Sequence, residues 1–290
     1  MMFLSAITTK IVSLLCCAFI FISGGFEVNG FGSKRDNCDV TRVMSFNLRC
    51  TGSGDESRAA RASYAAELIN EYAPDSFGVQ EANLAWLVQL CSRLPDYSYI
   101  GAGRFDGMLA GELSAVFYNK NVLKLIDSGT FWLSPTPEKP SRGWDAQLRR
   151  VCTWAVFENI ETGEQYAHLN THFDHIGFIA RVKSAELIKQ KAAEFDMPVV
   201  VTGDFNFKEG SYVYNKMTDS LLSDSKFLAE DSMDSITYHD YDPSSPLSKI
   251  IDFIFVNEKA DPITYRVITD KPDGYFVSDH YPIYADLILK

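Results

Sequence analysis

The 290-residue chain lacks the sequence signatures of several large enzyme classes. It has no Cys-x-x-Cys pair, so a zinc site held by cysteines is not expected. It has no phosphate-binding loop of the Walker type and no Gly-x-Ser-x-Gly elbow. These absences argue against nucleotide-driven kinases and ATPases, and against the commonest serine hydrolases. Positive charge is also scarce, and the formal net charge is −11. Such a charge disfavours tight, non-specific binding to long nucleic acid.

The residues that are present describe one globular domain rich in strands. Hydrophobic residues make up 46% of the chain and charged residues 22%. The 20 Phe and 14 Tyr residues suit the pleated surfaces of a sheet. Neither a repeat nor a linker follows residue 40. We therefore expect a short N-terminal lead over residues 31–40 and a single domain over residues 41–290.

The N-terminus predicts a secretory signal peptide over residues 1–30. Lys10 precedes an apolar run over residues 11–22, and small residues follow that run. The run is shorter than the roughly 20 residues that span a bilayer, so we expect a cleaved signal, a secreted protein and no membrane span in the mature chain. An uncleaved signal anchor is the alternative. Cleavage would leave four cysteines, whose pairing the sequence leaves open: Cys38, Cys50, Cys91 and Cys152.

The order of the predicted elements indicates two packed sheets with helices outside them. Helical periodicity predicts helices over residues 57–72, 84–94 and 178–195. Apolar or alternating runs predict strands over residues 41–47, 77–80, 97–101, 114–119, 123–133, 150–158, 165–172, 198–204, 250–256 and 282–289. Because several strands follow one another directly, the regular βαβα order of a doubly wound sheet is not expected.

Polar residues follow or interrupt several of the apolar strands. The strand-end residues are Asn47, Glu81, Asn170, His172, Asp204, Asn206, Asp279 and His280. Asp252 lies inside an apolar strand, where a charge is costly unless it is paired or bound to a cation. Because these residue types bind hard cations and move protons, their recurrence predicts one shared site.

The residue types suit metal-assisted hydrolysis of a phosphate ester. The carboxylates offer the hard oxygen ligands that Mg²⁺ takes. The amides of Asn47 and Asn206 can bind the metal or donate to a phosphate oxygen. The imidazoles of His172 and His280 can donate to a phosphoryl oxygen or act as acid or base. Attack of water on phosphorus needs such a metal, a base and donors to the developing charge.

The ordered motifs SFN, VQE, NTH, GDFN, IDFIFV and SDHYPI resemble those of the endonuclease/exonuclease/phosphatase superfamily. This superfamily includes deoxyribonuclease-like, nocturnin-like and sphingomyelinase-like metal-dependent phosphoesterases. The resemblance covers residues 41–290, and GTFWLS, GWDA and RRVCTWA resemble its small secreted or bacterial branch. It implies an α/β fold, a four-layer α/β sandwich in which two packed mixed β-sheets are flanked by helices.

The resemblance also implies a metal site. Glu81 matches the glutamate that holds the catalytic Mg²⁺, with Asn47 beside it. Asp279 is implied to lie near the same ion. Mn²⁺ is the alternative cofactor.

The remaining matched residues are implied to act on the phosphate and the water. Asp204 and Asn206 match the pair that orients the attacking water and the scissile phosphate. His280 matches the histidine that contacts the phosphate or acts as base, and Asp252 resembles its carboxylate partner. His172 matches a phosphate-contacting histidine. The choice of base between Asp204 and His280 stays open.

Four further residues are predicted to bind the substrate. The long loop over residues 134–148 is expected to border the cleft, with Trp144 stacking on a base or sugar. We expect Arg104 and Arg150 to bind a phosphate group. Asn170 is expected to contact the substrate from the end of its strand.

The sequence favours a secreted Mg²⁺-dependent phosphodiesterase of the nuclease-like kind. One alternative is a phosphomonoesterase acting on a sugar, inositol or nucleotide phosphate. Another is a secreted binding protein that uses a metal-filled cleft without turnover. The expected partner is the phosphate-ester substrate, whether nucleic acid, nucleotide or small molecule, and no stable protein partner is implied.

Overall fold

The computed structural model describes residues 39–50 and 57–290. The predicted signal peptide over residues 1–30 and Cys38 lie outside the described residues. The helices are α1 (Arg58–Tyr72), α2 (Leu84–Arg93), α3 (Phe178–Ala192), α4 (Tyr212–Met217) and α5 (Ser225–Leu228), and a 3-10 turn spans Pro272–Gly274. The strands are β1 (Val40–Asn47), β2 (Ser76–Ala82), β3 (Tyr97–Ile100), β4 (Leu113–Asn119), β5 (Leu123–Trp132), β6 (Val151–Asn159), β7 (Gln165–His172), β8 (Val199–Asp204), β9 (Ser223–Asp224), β10 (Asp231–Ser232), β11 (Asp252–Val256), β12 (Ala260–Val267) and β13 (Ile283–Leu289).

Within the described ranges, the strands form two mixed sheets. One has seven strands in the order β10-β12-β13-β1-β2-β4-β3, and the other has six in the order β5-β6-β7-β8-β11-β9. A parallel pair lies inside each sheet, β1 with β2 in the first and β7 with β8 in the second. Helices α1 and α2 pack on the first sheet, and α3 and α4 pack on the second. The predicted four-layer α/β sandwich is therefore confirmed.

Three apolar layers hold the sandwich together. Two of them lie between a sheet and its helices, and the third lies between the sheets. Strand β8 shows how one sequence serves two layers, because successive side chains of a strand point to opposite faces. Val199 and Val201 face the helices, whereas Val200 faces the other sheet. The unbroken apolar run of this strand follows from burial on both faces.

The largest difference from the sequence prediction is strand β12, which the prediction omitted. Its segment contains Pro262, which cannot donate to a ladder, and its pairing with β13 is irregular between Pro262 and Thr264. Its neighbour on the other side, β10, is only two residues long. The strand signal is weak there because burial on one face is partial.

None of the helices in the described part of the chain is long and apolar enough to cross a membrane.

Part of the layer between the sheets is polar. We call this part the polar seam, and it comprises Ser45, Ser76, Gln80, Tyr166, His168, Asn170 and Thr202. The Tyr166 hydroxyl donates to Ser76 Oγ over 2.8 Å, and Ser76 Oγ lies 2.8 Å from His168 Nδ1. His168 Nε2 lies 2.8 Å from Thr202 Oγ1. This chain of contacts assigns the neutral, Nε2-protonated tautomer to His168, and burial lowers the pKa of His168 to about 3.

Asn170 belongs to the polar seam, so its place differs from the substrate-binding position that the sequence predicted. Asn170 Nδ2 donates to the carbonyl oxygens of Val79 and Ala115, both at 2.9 Å. Its Oδ1 accepts from Gln80 Nε2 at 2.7 Å and from Thr202 Oγ1 at 3.0 Å. The side chain is fully buried and its hydrogen-bonding capacity is taken up by protein groups. Asn170 therefore joins the two sheets and does not reach the substrate.

Candidate active site

A cleft of about 350 Å³ opens where the parallel strand pairs of the two sheets end. Strands β1, β2, β7 and β8 all run toward it, so their C-terminal residues meet across the layer between the sheets. Its lining includes Arg49, Glu81, Glu112, Leu148, Arg150, His172, His175, Asp204, Asn206, Tyr238, Lys249, Asp279 and His280.

Glu81 reaches the cleft through an irregularity in strand β2. The pairing of β2 with β4 shifts register between Val79 and Ala82, and Glu81 adopts a φ of 59°. Strict alternation would point Glu81 toward the helices, so the bulge turns its carboxylate into the cleft. Burial raises the pKa of Glu81, but the Cys50 backbone N–H, the charge of His280 and the Asn47 amide together hold that pKa below its usual value. Glu81 is therefore an ionised carboxylate.

Asn47 links the carboxylates of the two sheets. Its Nδ2 donates to Glu81 Oε1 at 3.3 Å and to Asp204 Oδ2 at 3.0 Å. Its Oδ1 accepts the backbone N–H of Arg49 at 3.0 Å. The amide thus fixes the separation between two acids that lie on different sheets.

Asp279 lines the same cleft as Glu81. It is 2% exposed and forms an ion pair with the Arg49 guanidinium. Ser278 Oγ donates to Asp279 Oδ1 at 3.2 Å, so the first two residues of the Ser-Asp-His triplet support each other. Sequence reasoning missed Arg49, although it stands only two residues after Asn47.

Asp252, His280 and Asp204 form a second group. His280 Nδ1 lies 2.8 Å from Asp252 Oδ2, and His280 Nε2 lies 3.8 Å from Asp204 Oδ2. Asp252 and Asp204 are opposite each other in the antiparallel pairing of β11 and β8. Burial lowers the pKa of His280, but the charge of Asp252 and its hydrogen bond, followed by Asp204, raise it above its usual value. Burial and then the charge of Asp252 raise the pKa of Asp204.

His172 faces Asp204 from the neighbouring strand. Its Nε2 lies 3.4 Å from Asp204 Oδ2. Its buried Nδ1 has no hydrogen-bond partner among the described residues. Burial, followed by the charges of Arg150 and Arg104, lowers the pKa of His172 well below its usual value. His172 is therefore a neutral imidazole that lines the cleft.

Asn206 is held by its own backbone conformation. Its φ is 51°, its backbone N–H donates to Asp204 Oδ1 at 3.0 Å, and its Nδ2 donates to the Phe173 carbonyl at 3.0 Å. One amide hydrogen remains for a ligand in the cleft.

The predicted substrate-binding residues separate into two groups. Arg150 lines the cleft, is 4% exposed, and donates from Nη2 to His175 Nδ1 at 3.1 Å, while its Nε lies 3.7 Å from Asp174 Oδ2. Arg104 instead donates from both terminal nitrogens to Glu112, at 2.8 and 2.9 Å. Its two terminal nitrogens are thus paired inside the protein, while its buried Nε has no hydrogen-bond partner among the described residues.

Trp144 also departs from its predicted place. It is half-buried, has a φ of 41°, and is not among the side chains that line the cleft. The wall of the cleft is formed in part by Tyr238 and Lys249, which pair through a β-bridge. No motif marks these two residues in the sequence, because they come together only through folding of the segment between β10 and β11.

The donors fit a divalent cation that prefers oxygen. Glu81 and Asp279 supply carboxylates, and the donor atoms of Asp204, Asp252 and His280 lie within 4.8 Å of one another. Carboxylates packed this closely are costly without a compensating charge. Members of this fold family are generally dependent on a divalent metal, and these residues match that requirement.

Comparisons with known proteins agree with this geometry. The Endonuclease/Exonuclease/phosphatase family profile matches residues 44–280. An endonuclease/exonuclease/phosphatase family protein from Bacteroides thetaiotaomicron is 35% identical, with 87% of this chain and 98% of that chain covered and a TM-score of 0.82. A mannosyl-6-phosphatase from the same organism is also 35% identical, with 86% and 100% covered and a TM-score of 0.81.

A more distant relative is an uncharacterized protein of Acanthamoeba polyphaga mimivirus. It is 26% identical over 246 residues, which cover 74% of this chain and 87% of the relative. The chain belongs to the endonuclease/exonuclease/phosphatase family and has the phosphoesterase fold of that family.

Proposed function

We propose that the protein is a divalent-metal-dependent phosphomonoesterase that acts on small phosphorylated molecules of the sugar-phosphate kind. The observation that carries this proposal is the gathering of carboxyl groups, two imidazoles and the buried Arg150 guanidinium around one cleft of about 350 Å³. A phosphomonoester carries more negative charge than a diester, and Arg150 and Arg49 place two guanidinium groups at this cleft. The 35% identity to a mannosyl-6-phosphatase supports the same substrate class.

In the proposed site, Glu81 holds the cation together with Asp279, and Asn47 fixes the position of Glu81. Mg²⁺ is proposed as the ion and Mn²⁺ as its substitute, because both take oxygen ligands. When bound, the cation would neutralise charge on the phosphoryl group.

The protein's own residues are proposed to move the protons. Asp204 accepts a proton from the attacking water, because its raised pKa makes the ionised carboxylate a stronger base. His280, kept protonated by Asp252, donates from Nε2 to a phosphoryl oxygen. Asn206 and His172 contact the remaining phosphate oxygens. We therefore propose Asp204, and not His280, as the base.

A nuclease-like phosphodiesterase is the second candidate function. It is favoured by Tyr238, which lines the cleft and offers an aromatic ring for base stacking 5.0 Å from the His280 ring. The net charge of −11 makes extended contact with a polyanion unfavourable beyond the cleft.

A metal-supplemented activity panel separates the two candidates. Mannose 6-phosphate, glucose 6-phosphate, bis-p-nitrophenyl phosphate and a short oligonucleotide are compared with Mg²⁺ and with Mn²⁺. The proposal predicts the highest kcat/KM with a hexose phosphate, and a kcat lower by about 10³-fold or more in the Asp204→Asn control. A kcat/KM for either diester that exceeds all monoesters would establish the second candidate in its place.

We also propose that the protein is secreted, on the strength of the predicted signal over residues 1–30. Immunoblots of medium and cell fractions test this, with N-terminal sequencing of the product. Retention of full-length protein in the membrane fraction would support the signal anchor.

A further inference from the structure

Arg61 on helix α1 is a buried guanidinium whose hydrogen bonds all go to loop carbonyl groups. Its side chain is 1% exposed, and the other buried residues of α1 are apolar. Nε donates to the carbonyl of Val277 at 2.8 Å, and Nη2 donates to the carbonyl of Arg49 at 2.8 Å and to that of Leu48. A buried charge is costly, and carbonyl dipoles offset that cost less fully than a carboxylate does.

The three carbonyl groups belong to two loops next to the proposed metal site: one follows Asn47, which positions Glu81, and the other precedes Asp279. Leu48 and Arg49 directly follow Asn47, whose amide spaces Glu81 from Asp204. Val277 directly precedes the triplet that contains Asp279 and His280.

An aromatic residue next to Arg61 also contacts the loop that follows Asn47. Trp86 on helix α2 lies with its ring 5.0 Å from the Arg61 guanidinium, and its Nε1 donates to the Arg49 carbonyl at 3.2 Å. The planar guanidinium thus contacts both loops at once, which a single ammonium group cannot do with the same geometry.

We propose that Arg61 is a positioning residue that sets the distance between the Asn47 loop and the Asp279 loop, and thereby the affinity of the site for its divalent cation. The inference rests on the proposed function, because it assigns the cation to Glu81 and Asp279. Arg61 acts only through these loops, since it is 1% exposed and its Nε and Nη2 donate to backbone oxygens.

The test is calorimetric titration of the metal-free protein with Mn²⁺ alone. Arg61→Lys keeps the positive charge but removes the planar guanidinium that contacts both loops. We expect about 10- to 100-fold weaker Mn²⁺ binding, as is typical when a group that supports metal ligands is changed. In Arg61→Ala, added guanidinium chloride at millimolar concentration should restore part of the affinity, whereas methylammonium chloride should not.

Arg42→Lys is the matched control. Arg42 is also a partly buried arginine stacked on an aromatic ring, with its Cζ 4.4 Å from the Tyr284 ring centroid, but it pairs with Asp286 in the sheet, away from both loops. Both lysine variants should lower the unfolding temperature. Only Arg61→Lys should weaken Mn²⁺ binding.

If Arg61→Lys does not fold, Trp86→Phe removes the donor to the Arg49 carbonyl while keeping a ring, and it should weaken Mn²⁺ binding by a smaller factor.

The outcomes separate the inference from the proposed function. Unchanged Mn²⁺ affinity in Arg61→Lys, or in Trp86→Phe where the lysine variant does not fold, would refute the positioning role while leaving the proposed function intact. Failure of the unaltered protein to bind Mn²⁺ or Mg²⁺ would refute the metal site itself and the inference with it.

Discussion

The polar seam and the cleft occupy neighbouring stretches of the same strand faces, yet they differ in how their polar groups are satisfied. Because side chains alternate along a strand, residues two apart share a face. Three pairs each place a seam residue two positions before a cleft residue: Ser45 and Asn47, Asn170 and His172, and Thr202 and Asp204. In the seam, neutral groups bond to one another. In the cleft, like charges face each other and His172 Nδ1 has no partner among the described residues.

This difference in hydrogen bonding separates the polar residues that stabilise the fold from those that are available to bind a ligand. A neutral network, in which only Gln80 Oε1 lacks a hydrogen-bond partner among the described residues, holds two sheets together at little electrostatic cost. The cleft instead keeps Asp204 opposite Asp252, an arrangement that destabilises the ionised form of Asp204. We therefore expect changes in the seam to lower stability and changes in the cleft to lower activity.

The largest expected effect is on activity, in Asp204→Asn. Loss of the proposed base should lower kcat about 10³-fold or more, roughly 4 kcal/mol of transition-state stabilisation. Stability should be unchanged or higher, because one of two facing acids becomes neutral. Thr202→Val, two residues earlier on the same face, is the control, and it should lower the free energy of unfolding by about 1–3 kcal/mol with little loss of kcat. Steady-state kinetics and urea unfolding measure both quantities, and the reverse pattern would contradict the comparison.

The next largest effect concerns Gly78, which lies under the seam. A Cβ built there would stand 2.3 Å from Asn170 Oδ1 and 2.4 Å from Thr202 Oγ1. Gly78→Ala should therefore cost about 3 kcal/mol or more in unfolding free energy, from overpacking and broken hydrogen bonds. Gly163→Ala is the control, since its Cβ meets open space and only the φ of 75° opposes it. That variant should cost about 1–2 kcal/mol, and equal losses in the two would show that the seam tolerates the extra methyl group.

A pH effect on stability follows from His168. Its pKa is lowered to about 3 in the folded state, against an ordinary value of 6.5, because it is buried as a neutral donor and acceptor. Between these values the unfolded chain binds the proton more readily, so stability is full above pH 6.5 and falls as the pH decreases. The expected loss approaches about 1.4 kcal/mol per pH unit.

Urea unfolding at several pH values measures the slope, and His168→Gln should reduce it by the contribution of this one group. An identical slope in the variant would mean that His168 is not the neutral centre of the seam. The comparison is made below pH 6.5, where the two forms should diverge.

The smallest effect is expected for Trp144. Because it does not line the cleft, Trp144→Ala should change kcat/KM by no more than about threefold, less than 1 kcal/mol. A loss of the size expected for a stacked base or sugar would restore its predicted role. Measurement of kcat/KM with the preferred hexose phosphate decides between them.

Particular residues show how far the sequence predicts the molecule. Apolar runs ending in carboxylates, amides or imidazoles correctly predicted the strand framework, and Asp252 inside its apolar strand predicted a buried acid, as the structure shows at 2% exposure. Asn170 could not be separated from His172, because both share one strand face and only depth along the strand distinguishes them. Lys249 carries no motif, and its place in the cleft depends on tertiary contacts.

The most direct test of the central claim is the metal dependence of phosphate release from a hexose 6-phosphate by the unaltered protein and by Glu81→Gln. The account predicts no release after treatment with EDTA, saturable recovery with Mg²⁺ or Mn²⁺, and about 10- to 100-fold more metal needed for half-maximal rate in the variant, because one oxygen ligand is weakened. A full rate in EDTA, or the same metal requirement in both proteins, would contradict it.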